Sequence, residues 1–153
     1  MKTSLMFLLA CLLPLGVFAT SVPVKPLADL VKDSDHVVVA AVVKVDMIDG
    51  AGKEIKDRDA MTGPGLDNQI RLHLEIREVL FSSAPRPPKQ VMVRLWQAWH
   101  FTLGGMQDDV MGNTSVFLLK GNDFNPVYPA GFERPLPERE EIEKLLGAKS
   151  RKH

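Results

Sequence analysis

The densest run of side chains able to recognise a ligand is Trp96-Gln97-Ala98-Trp99-His100-Phe101, which holds both tryptophans of the chain and follows Arg94 closely. Tryptophan combines a large contact area with an indole N–H donor, which suits a glycan or a protein partner. Arg94 and His100 add a fixed cation and a titratable ring. Arg94, Trp96, Trp99 and His100 are therefore the candidate ligand-binding residues. On a straight strand Val91, Val93, Leu95, Gln97, Trp99 and Phe101 share one face, and Gln97 on that apolar face marks a bulge or strand end. Large aromatics are mostly buried, so filling a core and its rim is the competing, simpler role for both rings.

Other chemistry finds less support. His36, His73, His100 and His153 are scattered, with no HExxH or Cys/His spacing, so no metal and no cofactor is implied. His73 shares a polar strand face with Glu75 and Arg77 and is expected to face solvent. Asp108-Asp109 lacks the further oxygen ligands of a calcium loop and reads as a turn before Val110. Gly50-Ala51-Gly52-Lys53-Glu54 fails as a phosphate loop: Met47 occupies the first glycine position, Glu54 replaces Ser or Thr, and no helix follows. Asn113-Thr114-Ser115 is a glycosylation sequon that matters only in a eukaryotic secretory pathway. No GxSxG elbow pairs a nucleophile with a base, so an enzyme is not indicated.

The chain has 153 residues, 19 Lys+Arg against 19 Asp+Glu, and 45% apolar content. That even balance argues against nucleic acid as partner, because phosphate binding needs a clustered basic excess. Residues 1–19, MKTSLMFLLACLLPLGVFA, read as a signal peptide with a basic start, an apolar run and cleavage after Ala19. The run is broken by Pro14 and Gly16 and is too short for a membrane anchor, and lipidation at Cys11 would cut before the run is complete. Cys11 is the only cysteine, so the chain beyond Ala19 is expected in a secreted or periplasmic space without a disulfide. Residues 20–147 are expected to form one domain and 148–153 a basic, solvated tail.

The elements that must position the aromatic run follow from punctuation and periodicity. Proline opens a helix over residues 26–33. The valine-rich residues 37–48 form a strand, apolar on both faces at first and alternating once Lys44 and Asp46 appear. Residues 49–68, rich in glycine and charge, read as a loop that is more readily disordered than functional. Ile70, Leu72, Leu74 and Ile76 alternate with polar residues in a second strand that continues through Phe81, and prolines 85, 87 and 88 end it. Further strands are expected at 91–96, at 116–119 and, as a short fifth, at 127–128, with a break at Gly104-Gly105. A helix over 137–147 opens on proline and stops at glycine.

Helix, five strands and helix suggest a small, partly open, mainly β barrel. Ser34-Asp35-His36-Val37-Val38-Val39, Glu75-Ile76-Arg77-Glu78-Val79-Leu80-Phe81 and Thr114-Ser115-Val116-Phe117-Leu118-Leu119-Lys120-Gly121 together resemble netrin-like modules, the OB-type barrels related to metalloprotease inhibitors. That resemblance implies a five-stranded OB-like barrel that binds another macromolecule. The inhibitors chelate a protease zinc through an N-terminal cysteine. No cysteine follows Ala19 here, so the inhibitory residues do not carry over. The expected function is an exported, non-enzymatic binding module for a protein or cell-envelope polymer. The alternatives are a small envelope hydrolase, with His73 or His100 and an acid assembled only in three dimensions, and a structural envelope protein whose 49–68 loop orders on assembly.

Overall fold

The structure is a computed structural model that describes residues 22–150. The signal peptide expected at 1–19 and the end of the basic tail lie outside the described residues. The chain forms a central sheet with short helices at both ends. In order the elements are α1 (Leu27–Asp33), β1 (His36–Ile48), β2 (Glu54–Ile55), β3 (Gln69–Ser82), β4 (Gln90–Arg94), α2 (Leu103–Val110), β5 (Thr114–Lys120), β6 (Asn125–Pro126), β7 (Glu133–Arg134) and α3 (Arg139–Ser150), the last preceded by one 3-10 turn at Leu136–Glu138. The antiparallel order is β4-β3-β1-β5-β6, with β2 added to β1 and β7 to β5.

β1 and β3 form the spine, and their bulges decide which side chains face which way. Val38, Ala40 and Val42 enter the main core, yet so do Val45 and Met47, which a strict two-residue period would send to the opposite face. The parity changes at Val43: Val42 pairs with Leu74 and Lys44 with His73, leaving Val43 unpaired and 45% exposed. Two further register steps skip Arg77 and Leu80 on β3. Such extra residues bend a strand and raise its twist, curling the sheet around the main core.

Two apolar clusters result. The concave face packs Phe117, Leu119, Ile70, Leu72, Leu74, Val91 and Val93 under Leu103 of α2 and the rings of Phe124 and Phe132. The opposite face of the first half of β1, with Val37, Val39, Val116 and Leu118, is covered by Leu30 and Val31 of α1 and by Ile142 and Leu146 of α3. Lys149 joins the two helices, its ammonium donating to the carbonyls of Ser34 at 2.6 Å and Val31 at 3.4 Å. α3 thus runs through Gly147 into the residues expected as a solvated tail.

The sheet is not closed into a barrel, which corrects the expectation of an OB-like β-barrel. β4 and β6 approach one another as its two edges, but no ladder joins them. Pro126 occupies half of the two-residue β6 and has no N–H to donate, so that edge cannot continue the pairing. The core is capped instead by α2. Its start at Gly104-Gly105 was expected as a break. Thr102 caps it, accepting from the Gly105 N–H at 3.1 Å. A Cβ on Gly104 would meet the Arg58 backbone oxygen at 3.1 Å, so glycine there permits a close approach. The fifth strand expected at 127–128 is replaced by β6 and β7, both on one edge of β5. No helix among the described residues is long and apolar enough to cross a membrane.

Candidate functional site

The aromatic run begins where β4 ends. The Leu95 N–H still donates to the Ile70 carbonyl at 3.0 Å, and the Gln69 side-chain amide donates to the Leu95 carbonyl at 2.6 Å, fixing the end of the strand. The chain then turns, with the Trp99 N–H directed at the Trp96 carbonyl 3.5 Å away. The strand end foreseen near Gln97 is therefore a turn, and it brings the two indoles edge to face at 5.6 Å. Phe101 continues the stack, 5.8 Å from Trp99. Such tilted pairs place a positive ring edge on a negative ring face, which holds the rings in one arrangement.

The 49–68 stretch clamps this run from behind, contrary to the expectation of disorder. Thr62, 2% exposed, donates its hydroxyl to the Trp99 carbonyl at 2.6 Å, and the same oxygen accepts from the Phe101 N–H at 3.2 Å. The Thr62 N–H donates to the Phe101 carbonyl at 2.9 Å. Arg58 reaches both carboxylate oxygens of Asp108 on α2 at 2.7 Å, so Asp108-Asp109 lies in a helix and not in a turn. His100 packs over Gly63, where a Cβ would come within 2.5 Å of its Nδ1. It serves the clamp and does not line the cleft.

Trp96 and Trp99 face a cleft of about 270 Å³ whose walls include Leu72, Leu95, Phe101, Met106 and Phe132, with Glu133 at the rim. Neither indole is fully buried. Trp96 is 37% exposed and Trp99 half-buried, so the rings form the cleft wall more than they fill the core. A second hollow of about 260 Å³ shares Leu95, Trp96 and Pro129 and is lined by Arg94, Gln69, Gln97 and Asn125. Three of the four candidate residues, Arg94, Trp96 and Trp99, therefore meet around one site. A larger hollow of about 410 Å³ between α1 and α3 holds no aromatic ring and is framed by Leu145, two alanines and charged residues.

A polar cluster that the sequence reading missed lies on the uncovered half of the outer sheet face. Asp46, 4% exposed, accepts from Arg71 at 2.6 and 2.9 Å, from His73 Nε2 at 2.9 Å and from the Lys44 ammonium at 2.9 Å. Burial alone would raise its pKa. The hydrogen bonds from Arg71, Lys44 and His73 outweigh that and hold the carboxyl well below the usual carboxylate range. The same contacts raise Lys44 and Arg71. His73 is thus bound to an acid and is not simply solvated. The signal is cross-strand: once the Val43 bulge sets the register, Lys44 lies directly across from His73 and Asp46 from Arg71 on one face of the sheet.

No group of three or more His, Cys, Asp or Glu side chains among the described residues is arranged to hold a metal ion. Comparison with known proteins finds no family model that matches the chain and no curated protein that matches it.

Proposed function

We propose that the protein is an exported, non-enzymatic binding module whose partner, a protein or a cell-envelope polymer, lies across the Trp96–Trp99 cleft. The observation that carries this reading is the cleft itself: three aromatic rings held edge to face, backed by a buried threonine clamp, and open on one side. Ligand sites are concave and largely apolar, with a few placed polar groups, and this cleft has that composition. The export signal read at residues 1–19 supports a partner in the envelope or beyond it.

The hydrolase alternative has one observation in its favour, the His73–Asp46 pair at 2.9 Å. That carboxylate is already committed to Arg71 and Lys44, and no serine or threonine hydroxyl hydrogen-bonds to His73 among the described residues. The pair therefore has no side-chain nucleophile beside it, the partner that covalent hydrolysis uses.

The test is retention of the exported chain on immobilised envelope polymer and on immobilised envelope proteins, comparing wild type with Trp96→Ala and the Trp96→Ala/Trp99→Phe pair. At least one support should retain wild type and release the double variant, with thermal unfolding unchanged to within about 1 kcal/mol for Trp96→Ala because that ring is partly exposed. Equal retention of wild type and both variants contradicts the assignment.

A further inference from the structure

The cleft and the polar hollow meet at Trp96, so one ligand can occupy both. Their linings differ in kind. On one side of Trp96 stand Trp99, Phe101, Met106 and Phe132. On the other stand Arg94, Gln97 and Asn125, residues that carry a guanidinium and two side-chain amides. A ligand that fills both must be apolar at one end and polar at the other.

The charges orient it. Arg94 lies directly opposite Arg71 in the β3–β4 register, and like charges so placed repel one another. Arg71 is neutralised by its two-point contact with Asp46. Arg94, exposed at the end of β4, has no carboxylate within ion-pair distance among the described residues. Among the residues lining the cleft Glu133 keeps a carboxylate, which accepts from Ser115 Oγ at 2.9 Å. An anionic group on the ligand is attracted to the hollow with Arg94 and repelled from the cleft that holds Glu133, whereas an apolar group is drawn to the aromatic rings of that cleft.

Resting on the reading of the cleft as a ligand-contact surface, we infer that the two hollows form one site for the carboxyl terminus of a peptide whose last residue is large and apolar. The terminal side chain enters the aromatic cleft and the terminal carboxylate pairs with Arg94. The Gln97 and Asn125 amides pair with the last peptide group. A plain aryl or alkyl acid would use the first two features and leave both amides idle.

The probes are N-acetyl-glycyl-L-phenylalanine, its C-terminal amide, and 3-phenylpropionate, titrated into the exported chain with indole emission as the readout. Both tryptophans of the chain lie at the site, so emission reports there directly. The acid peptide should bind saturably, with the amide and phenylpropionate each about tenfold weaker, the size of one lost charge-assisted or amide contact. Arg94→Gln should bind acid and amide alike, Arg94→Lys should keep the preference for the acid, and Trp96→Ala should weaken both peptides together. Equal binding of acid and amide by wild type overturns the inference, as does a preference that survives Arg94→Gln. Phenylpropionate binding as tightly as the peptide overturns the peptide assignment in favour of a simple apolar acid. If no probe changes the emission while envelope polymer or envelope protein still does, the carboxyl-terminal site is wrong and the cleft reading stands.

Discussion

Asp46 shows how much a single side chain contributes away from the cleft. Its carboxylate joins two strands through Arg71 and His73 and is the one acid that Lys44, Arg71 and His73 all touch. Asp46→Asn leaves three polar partners around a neutral amide and should cost about 2–4 kcal/mol in urea unfolding, reduced from the cost of a fully buried pair because the partners are partly exposed. The same residue sets an acid dependence. A carboxyl whose pKa is depressed on folding stabilises the fold fully above its unfolded value of about 3.9 and loses that contribution as pH falls through the folded value. Wild type should therefore lose stability steeply below about pH 4, and Asp46→Asn should show a shallower fall over the same range. Parallel acid profiles for the two proteins would remove Asp46 from that role. Nothing in the linear sequence announced the cluster. Asp46 and Arg71 lie in different strands, and their pairing depends on a register that no local spacing encodes.

At the scale of elements, composition and placement diverge. The valine run at 37–48 was legible as a strand because β-branched residues crowd helices and fit a pleated surface. Its two-sided apolar first half and its alternation from Lys44 and Asp46 are legible too, whereas the change of core-facing parity at the unpaired Val43 is not. Removing one valine of the Val42-Val43 pair leaves a regular in-and-out alternation with Lys44 out and Val45 in. That deletion should retain cooperative thermal unfolding, while deletion of Val45, which would turn Asp46 toward the core, should abolish it. Loss of folding in both would show that the bulge's curvature, and not its parity, is what the fold requires. α2 was missed because glycine usually marks a break, yet Gly104 is there to admit Arg58. The order of the 49–68 segment is hidden for a related reason: its side-chain anchors, Thr62 and Arg58, stand among polar residues, and its pairing with β1 through β2 is only two residues long. Thr62→Val should destabilise by roughly 1–3 kcal/mol, since it strands the Phe101 N–H, and should speed proteolytic cleavage within 49–68. A variant cleaved no faster than wild type would show that the clamp lies elsewhere.

The whole molecule divides its labour by face. One face of the sheet is sealed by α1 and α3, the concave face is capped by α2, and the aromatic run continues from the unjoined edge strand β4. Strand count and order of elements suggested a barrel, but closure depends on the edges, and Pro126 leaves that seam unladdered. The open seam borders the polar hollow, which shares Trp96 with the cleft, so the feature that departs from the expected barrel lies beside the proposed site. The most direct test is a two-dimensional ¹H–¹⁵N NMR titration of the chain beyond Ala19 with solubilised envelope polymer and, separately, with envelope protein. The proposed function predicts that one of them shifts both indole N–H signals together with backbone signals of residues 94–101 and 129–133. Shifts confined to α1 and α3, or binding that leaves both indole signals in place, would contradict it.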